Sequence, residues 1–309
     1  MGSKDISHRA PSRALSALIS AFCVIFAVFA TLSAACKFLF LSPRFYVSVL
    51  TSDKYVDEIY TEIKTDIKYQ SAVYVIPESV PMKSITKEKV REDCAEYAQH
   101  IYDSFVTGKT EPLDVKLDTD KMLADIEEYL ASDESAGMVN SESAETVVVP
   151  MYTEIYSNCI NAVSFGNAIE LAHRFFSNKL VDMLSSGFYC FSVALIACFA
   201  AKFVLSSRSS TKRFYAVFAN GFMSAAFVFA PIAVIKQYDF PARLALGYSP
   251  AKSFLDGVLY TAVNRLFAVS AVALAVFAVG MFAFAAAVSF KMYQTEKTHN
   301  SAESTKNEK

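Results

Sequence analysis

Leu266-Phe-Ala-Val-Ser-Ala-Val-Ala-Leu-Ala-Val-Phe-Ala-Val-Gly-Met-Phe-Ala-Phe-Ala-Ala-Ala-Val-Ser-Phe290 is a run of 25 residues without a single charge. As a helix rising 1.5 Å per residue it reaches about 37 Å, enough to cross a hydrocarbon core of ~30 Å. Three further runs share its character. Ala14 to Leu41 carries one charge, Lys37, close to its end; Phe188 to Ser206 carries one, Lys202, again near an end; Phe214 to Ile235 carries none. Buried helices of a large soluble core seldom supply four such runs. Of the 309 residues 53% are hydrophobic, against about 45–50% in a soluble domain, and the mean hydropathy is +0.30. The fold class expected is an all-α membrane protein with four transmembrane helices.

The formal net charge of −2 hides an asymmetry. Between Ser42 and Ser185 there are 25 Asp and Glu against 13 Lys and Arg, a net of −12, while the remainder of the chain nets +10. Such a split signals regions that live in different places. Short loops rich in Lys and Arg stay cytoplasmic, and long domains translocate largely regardless of charge. Lys4, Arg9 and Arg13 precede the first segment, Arg208, Lys212 and Arg213 crowd the loop between the second and third, and Lys291, Lys297, Lys306 and Lys309 follow the fourth. Four crossings place all three groups on one side. The layout expected is therefore a cytoplasmic N-terminus (1–13), transmembrane helix 1 (14–41), an acidic extracytoplasmic helical domain (42–185), helix 2 (186–206), a basic cytoplasmic loop (207–213), helix 3 (214–235), an extracytoplasmic loop or helix (236–264), helix 4 (265–290) and a cytoplasmic tail (291–309). This is a multi-pass protein of the cell membrane with both termini cytoplasmic.

A cleaved signal peptide is the competing reading of the first segment. Its apolar stretch exceeds an h-region of about 7–15 residues, so a retained signal anchor is expected. Leu32-Ser33-Ala34-Ala35-Cys36 resembles a lipoprotein cleavage site superficially, but the leucine stands one place too far from the cysteine. Met1-Gly2-Ser3 has Ile6 where myristoylation wants Ser or Thr. Cys23, Cys36, Cys190 and Cys198 lie in the hydrophobic segments and read as small apolar side chains. Cys94 and Cys159 fall in the outer domain. They form a candidate disulfide in an oxidising space, or two apolar helix positions. The chain has no Asn-x-Ser/Thr sequon, which favours a bacterial protein.

The acidic domain reads as helical. Ser42-Pro43 has the form of a helix start. After Ser52, Val56, Ile59, Ile63 and Ile67 recur at spacings of three and four. Thr86 caps a helix with the stripe Val90, Cys94, Tyr97, Ile101 and Phe105, and Gly108 stops it. Glu92, Asp93, Glu96 and Asp103 are expected to face water. Another helix follows Asp118, carrying Met122, Ile126 and Leu130. Ser132 to Glu145 reads as a loop. Ile155 and Cys159 begin a stripe beyond Pro150, and Ile169, Ala172, Phe176, Leu180 and Met183 carry one towards the second membrane segment. Ala72 to Ile76 and Thr146 to Val149 have strand-like composition, yet an isolated two-stranded ribbon is marginal and all-α stands. Ser249-Pro250 starts a helix that runs into the fourth segment, with Leu255, Val258 and Leu259 placed to pack on the acidic domain.

Within the bilayer, close approach of small residues drives helix packing. Asn220, Gly221, Ala225, Ala271 and Ala275 are the candidate packing residues, and Asn220 is expected to hydrogen-bond a neighbouring helix. Pumps and proton-coupled carriers need ionisable groups at depth, and no Asp, Glu, His or Arg sits mid-segment. Glu170-x-x-His173 has metal-ligand spacing, but a di-iron bundle needs two such motifs. Asp118-x-Asp120 opens like a calcium loop, then Met122 and Leu123 occupy the next ligand and glycine positions. An acidic helix start explains it instead. Phosphate loops, nucleophile elbows and Cys-x-x-Cys pairs do not occur. The expectation is no catalytic residue, cofactor or metal, and no nucleic-acid partner.

Leu41-Ser-Pro-Arg-Phe-Tyr46, Ser52-Asp-Lys-Tyr55, Ile85-Thr-Lys-Glu-Lys-Val-Arg-Glu-Asp93 and Tyr248-Ser-Pro250 together resemble a group of uncharacterised four-helix membrane proteins of Firmicutes-type bacteria with an extracytoplasmic helical domain. The resemblance implies architecture and transfers no functional residue. The function expected is that of a non-enzymatic envelope protein, in contact with the lipid bilayer, whose acidic domain binds a protein or cell-wall partner. The alternative is an oligomeric pore or a carrier for hydrophobic solutes.

Overall fold

The computed structural model describes residues 5–109, 111–132, 139–161, 167–206, 209–238 and 249–307. Tyr248, Arg208 and the middle of the loop before the fourth segment lie outside the described residues. The elements in chain order are α1 (Asp5–Ala35) with a π-helical turn (Cys36–Phe40), α2 (Pro43–Leu50), α3 (Asp53–Tyr74), a 3-10 turn (Pro81–Lys83), α4 (Lys87–Thr107), α5 (Thr119–Leu130), α6 (Ser141–Ser143) with a second π turn (Ala144–Val148), α7 (Val149–Ile160), α8 (Asn167–Phe176), α9 (Lys179–Leu205), α10 (Ser210–Gln237) and α11 (Ser249–Asn307). No strand occurs among the described residues. Ala14–Phe40, Lys179–Leu205, Ser210–Gln237 and Phe254–Thr295 are long and apolar enough to cross a membrane. The chain is an all-helical, multi-pass membrane protein. It divides into a membrane unit (Met1–Leu39, Asp182–Phe240, Ala262–Lys309) and a helical domain (Phe40–Val181, Pro241–Thr261).

In the helical domain, α4 is the central element, packed on α2, α3, α7 and α8. Its expected stripe is its buried face: Val90, Cys94, Tyr97, Ile101 and Phe105 are all buried. Thr86 caps its start by accepting from the Lys89 amide at 3.2 Å. Gly108 ends it in the left-handed conformation at φ 76°. There the His173 ring packs so closely that a Cβ would meet it at 3.2 Å. Asp118 caps α5 in the same way, accepting from the Lys121 amide at 3.0 Å. Val56, Ile59, Ile63 and Ile67 of α3 are also buried as expected.

Three expectations need correction. Asp93 does not face water; it is 4% exposed, because it receives a 2.6 Å hydrogen bond from Tyr156 and a 2.8 Å ion pair from Lys89. The strand-like runs form no strand, in line with the all-α expectation: Ala72 to Tyr74 end α3, Val75 is its left-handed cap, and Thr146 to Val149 lie in the second π turn and the start of α7. The expected loop Ser132 to Glu145 contains α6, capped by the Asn140 side chain on the Ser143 amide at 2.8 Å. Finally, the stripe leading to the second span is interrupted at Ser177-Asn178, where the Asn178 side chain accepts from the Leu180 amide and starts α9 afresh.

α11 starts at Ser249 as expected. Its buried residues in the domain are Phe254 and Val258 rather than Leu255 and Leu259. Phe254 stacks on Tyr46 at 6.4 Å between ring centroids, and Gly257 faces Val49.

In the membrane unit, α1 packs along α10. Helices α10 and α11 join through a reciprocal device: Gly221 is the notch for the ring of Phe277, and Gly280 the notch for the ring of Phe218. A side chain at either glycine would overlap the facing ring. Phe214 and Phe218 both stack on Phe284, extending the seam. Tryptophan is absent from the sequence, and cations at segment ends lie over other aromatic rings instead. Lys37 sits 4.0 Å from the Tyr189 centroid, and Lys236 4.1 Å from that of Phe267.

Candidate functional site

The small residues of the membrane unit leave a cavity of about 730 Å³ between its helices. Ala27, Ala30, Ala34 and Ala35 of α1, Gly221 and Ala225 of α10, and Ala268 and Ala273 of α11 form much of its wall. Larger side chains at these positions would fill it. The space is a groove open along part of its length, since Phe38 and Val269 of its wall are exposed. The wall is apolar apart from Thr31, Ser224, Ser270 and Arg265. Thr31 and Ser270 donate to carbonyls of their own helices, at 2.8 and 3.1 Å. Ser224 Oγ is buried without a hydrogen-bond partner. Arg265 stands at the end where α11 passes into the helical domain.

The candidate packing residues divide. Gly221 and Ala225 are buried on the α10 seam, whereas Ala271 is half-buried and Ala275 exposed. Asn220 is 6% exposed; its Nδ2 reaches no strong acceptor and faces the sulfur of Cys23 on the neighbouring α1, a weak acceptor. A stronger polar link between spans is one the sequence reading passed over. Lys202 Nζ of α9 reaches α1 and meets Ser16 O at 3.0 Å, Ser16 Oγ at 2.7 Å and Ser20 Oγ at 2.7 Å. Three acceptors satisfy the three ammonium donors. Two serines one helical turn apart, level with a lone lysine, were the available signal.

In the helical domain a groove of about 570 Å³ is lined by four carboxylates, Asp114, Asp120, Glu145 and Glu154, together with Thr153 and Ser157. No Lys or Arg lines it. Asn161, at the C-terminal end of α7, fixes one wall by donating to Leu113 O at 3.0 Å and accepting from Leu113 N at 2.9 Å. Val115 then turns into the core, 8% exposed, and leaves Asp114 on the rim. Asp120 opens α5, Glu145 lies on the second π turn and Glu154 on α7. The four acids span some forty residues of sequence with no regular spacing, so only the net acidity of the domain announced them.

The remaining polar candidates have structural duties. Glu170 pairs with Arg174 at 2.7 Å, and His173 Nδ1 lies 3.2 Å from the carbonyl of Phe105. Among the described residues no three His, Cys, Asp or Glu converge as a metal site. Cys94 and Cys159 are two free, buried thiols rather than a bridge. Cys94 sits among Tyr55, Tyr97 and Tyr156, while the Cys159 sulfur lies 3.9 Å from Asp66 Oδ2. Burial pushes both thiols up to about 12 from the ordinary 9.0, Asp93 adding to the effect at Cys94 and Glu62 and Asp66 at Cys159.

No protein-family model, curated protein or solved structure matches this chain.

Proposed function

We propose that this chain is a non-enzymatic membrane protein of a bacterial cell envelope, with both termini cytoplasmic and its acidic helical domain outside. There the domain binds a positively charged segment of a protein or cell-wall partner. The groove walled by Asp114, Asp120, Glu145 and Glu154 is the observation that carries the reading. Four like charges along one cleft raise the local concentration of cations and speed their capture. The basic short segments support the orientation. The lack of sequons and the resemblance to Firmicutes-type membrane proteins support the bacterial assignment.

Titration of the full chain in detergent micelles with a labelled oligolysine peptide tests the groove, with an oligoglutamate peptide as control. Salt-sensitive binding of oligolysine alone is expected, and it is lost in the double variant Asp114→Lys/Glu154→Lys. Equal binding by that variant would sink the proposal.

A pore or a carrier for hydrophobic solutes is the second reading, favoured by the apolar cavity. It requires solute flux in reconstituted vesicles that falls on changing Asn220 or Gly221. Inert vesicles would remove it.

A further inference from the structure

Helix α8 (Asn167–Phe176) carries more apolar surface than its own domain covers. At about 100° per residue, Leu171, Phe175, Ala172, Phe176 and Ile169 follow one another round an arc of about 160°, and the ion-paired Glu170 and Arg174 stand outside it. One edge of the arc is seated on α4. There the Phe176 ring meets those of Tyr102 and Phe105 at 5.8 and 5.7 Å between centroids, and the His173 ring lies against the Phe105 carbonyl. The other edge is bare: Leu171 is 70% exposed, and Phe175, one turn on, is exposed as well. Single apolar side chains on a surface mean little, but this pair has neighbours of its own kind. α9 begins at Lys179, three residues after Phe176, and Leu180 and Met183 in its first turns are exposed. From Met183 the exposed row runs on through Tyr189, Val193 and Ile196, along a helix long and apolar enough to cross a membrane.

From this continuity with the exposed face of a span, we propose that α8 is an interfacial helix, its Leu171 and Phe175 edge seated in the leaflet that α9 enters. The helical domain then has a lipid contact of its own. Three extended residues span at most ~10 Å, so the connection holds α8 close to the surface where α9 enters. An amphipathic helix in such a place buries its apolar face about 5–10 Å into the boundary of headgroups and acyl chains. The Glu170–Arg174 ion pair stays on the watery side of that boundary. Lys179, exposed between the two apolar pairs, fits the same depth, because a lysine lays its stem on apolar chains and keeps its ammonium among the headgroups. The inference depends neither on which face of the membrane carries the domain nor on the acidic groove.

Depth-dependent quenching in the full chain tests the seat. An encoded fluorescent amino acid replaces Leu171, Phe175, Val193 or Glu127, one per protein, in vesicles of phosphatidylglycerol and phosphatidylcholine. The phosphatidylcholine is brominated high on its acyl chains, and iodide serves as the quencher from water. Val193 is the reference for lipid and Glu127, exposed on α5, the reference for water. Bromolipid should quench positions 171 and 175 within about twofold of position 193, as a shallow apolar seat requires, and iodide should reach them far less than position 127. With the probe at Phe175, the double variant Leu171→Ser/Leu180→Ser should lose about half or more of the bromolipid quenching, because the apolar edge that holds the helix down is removed. Circular dichroism establishes that each chain is folded, and the single-probe chains decide the matter if the double variant is not. Iodide quenching at 171 and 175 equal to that at 127 would overturn the inference, as would bromolipid quenching undiminished in the folded double variant. Protection from both quenchers would overturn it too. If that protection vanished on diluting the protein in lipid, a second copy would be the cover; if it persisted, the chain itself would be.

Discussion

The ring of Phe277 lies in the notch that Gly221 leaves on the facing helix, so close that a Cβ on Gly221 would overlap it. The pair is matched by Phe218 over Gly280, so each helix contributes a Phe followed three residues later by a Gly. Without a hydrophobic drive between helices in lipid, such close packing is a main source of association.

Gly221→Ala is therefore expected to lower the thermal stability of the detergent-solubilised protein, and Phe277→Ala in the same chain should recover part of the loss. The coupling energy from the double-mutant cycle should fall within about 0.5–3 kcal/mol, the range for residues in contact. Additive effects would mean that the two do not touch.

Tyr156 and Tyr152 offer a comparison inside the helical domain. Tyr156 donates to the buried carboxylate of Asp93 at 2.6 Å. Tyr152 shares a 2.8 Å hydrogen bond with the hydroxyl of Ser71. A hydrogen bond to a charged group contributes about 1.5–3 kcal/mol and a neutral one about 0.5–1.5. Tyr156→Phe should thus destabilise the domain more than Tyr152→Phe in denaturant titrations. Equal losses would show that the Asp93 contact does not act as a charged one.

Alkaline pH should unfold this domain cooperatively. Burial, the largest cause in each case, raises Tyr55, Tyr97 and Tyr156 above the ordinary 10.0. Burial also raises Cys94 and Cys159 from 9.0 to about 12. The folded state therefore keeps protons that the unfolded chain releases. Stability is intact below pH 9 and falls as pH rises through the ordinary thiol and phenol values towards the folded ones. Each such group contributes about 1.4 kcal/mol per pH unit within its own window. Tyrosinate absorbance and helical circular dichroism should change together. Gradual ionisation with the helices intact would contradict the burial of these groups.

Val75 closes α3 in the left-handed region at φ 57°, where a β-branched residue is strained. Its side chain is 58% exposed, so little packing is lost on removing it. Val75→Gly should raise stability by about 1 kcal/mol, read as a higher melting temperature. A lower one would show that the side chain has a packing role.

Local periodicity made α4 legible, because its stripe, its Thr86 cap and its Gly108 stop all lie within one stretch. The start of α11 was legible for the same reason. Asp93 was not. It adjoins Cys94 at the edge of the stripe, and its partner Tyr156 is 63 residues away. Phe254 and Leu255 are equally plausible leaders of a stripe one residue wide of the mark, and only the ring of Tyr46 decides between them. Small residues stand four apart at Gly221 and Ala225 but also at Ala271 and Ala275. What discriminates the α10–α11 seam is a ring opposite a glycine, a relationship between helices. The cavity and the acidic groove are likewise assembled from several elements and have no local signature.

Crosslinking in living cells from a photoreactive residue placed at Thr153, inside the groove, tests the central claim most directly. The account predicts a discrete adduct with an envelope component whose contact region is rich in Lys, Arg or amine groups, and loss of that adduct in Asp114→Lys/Glu154→Lys. An adduct with a cytoplasmic protein, or one that survives the charge reversal unchanged, would contradict it.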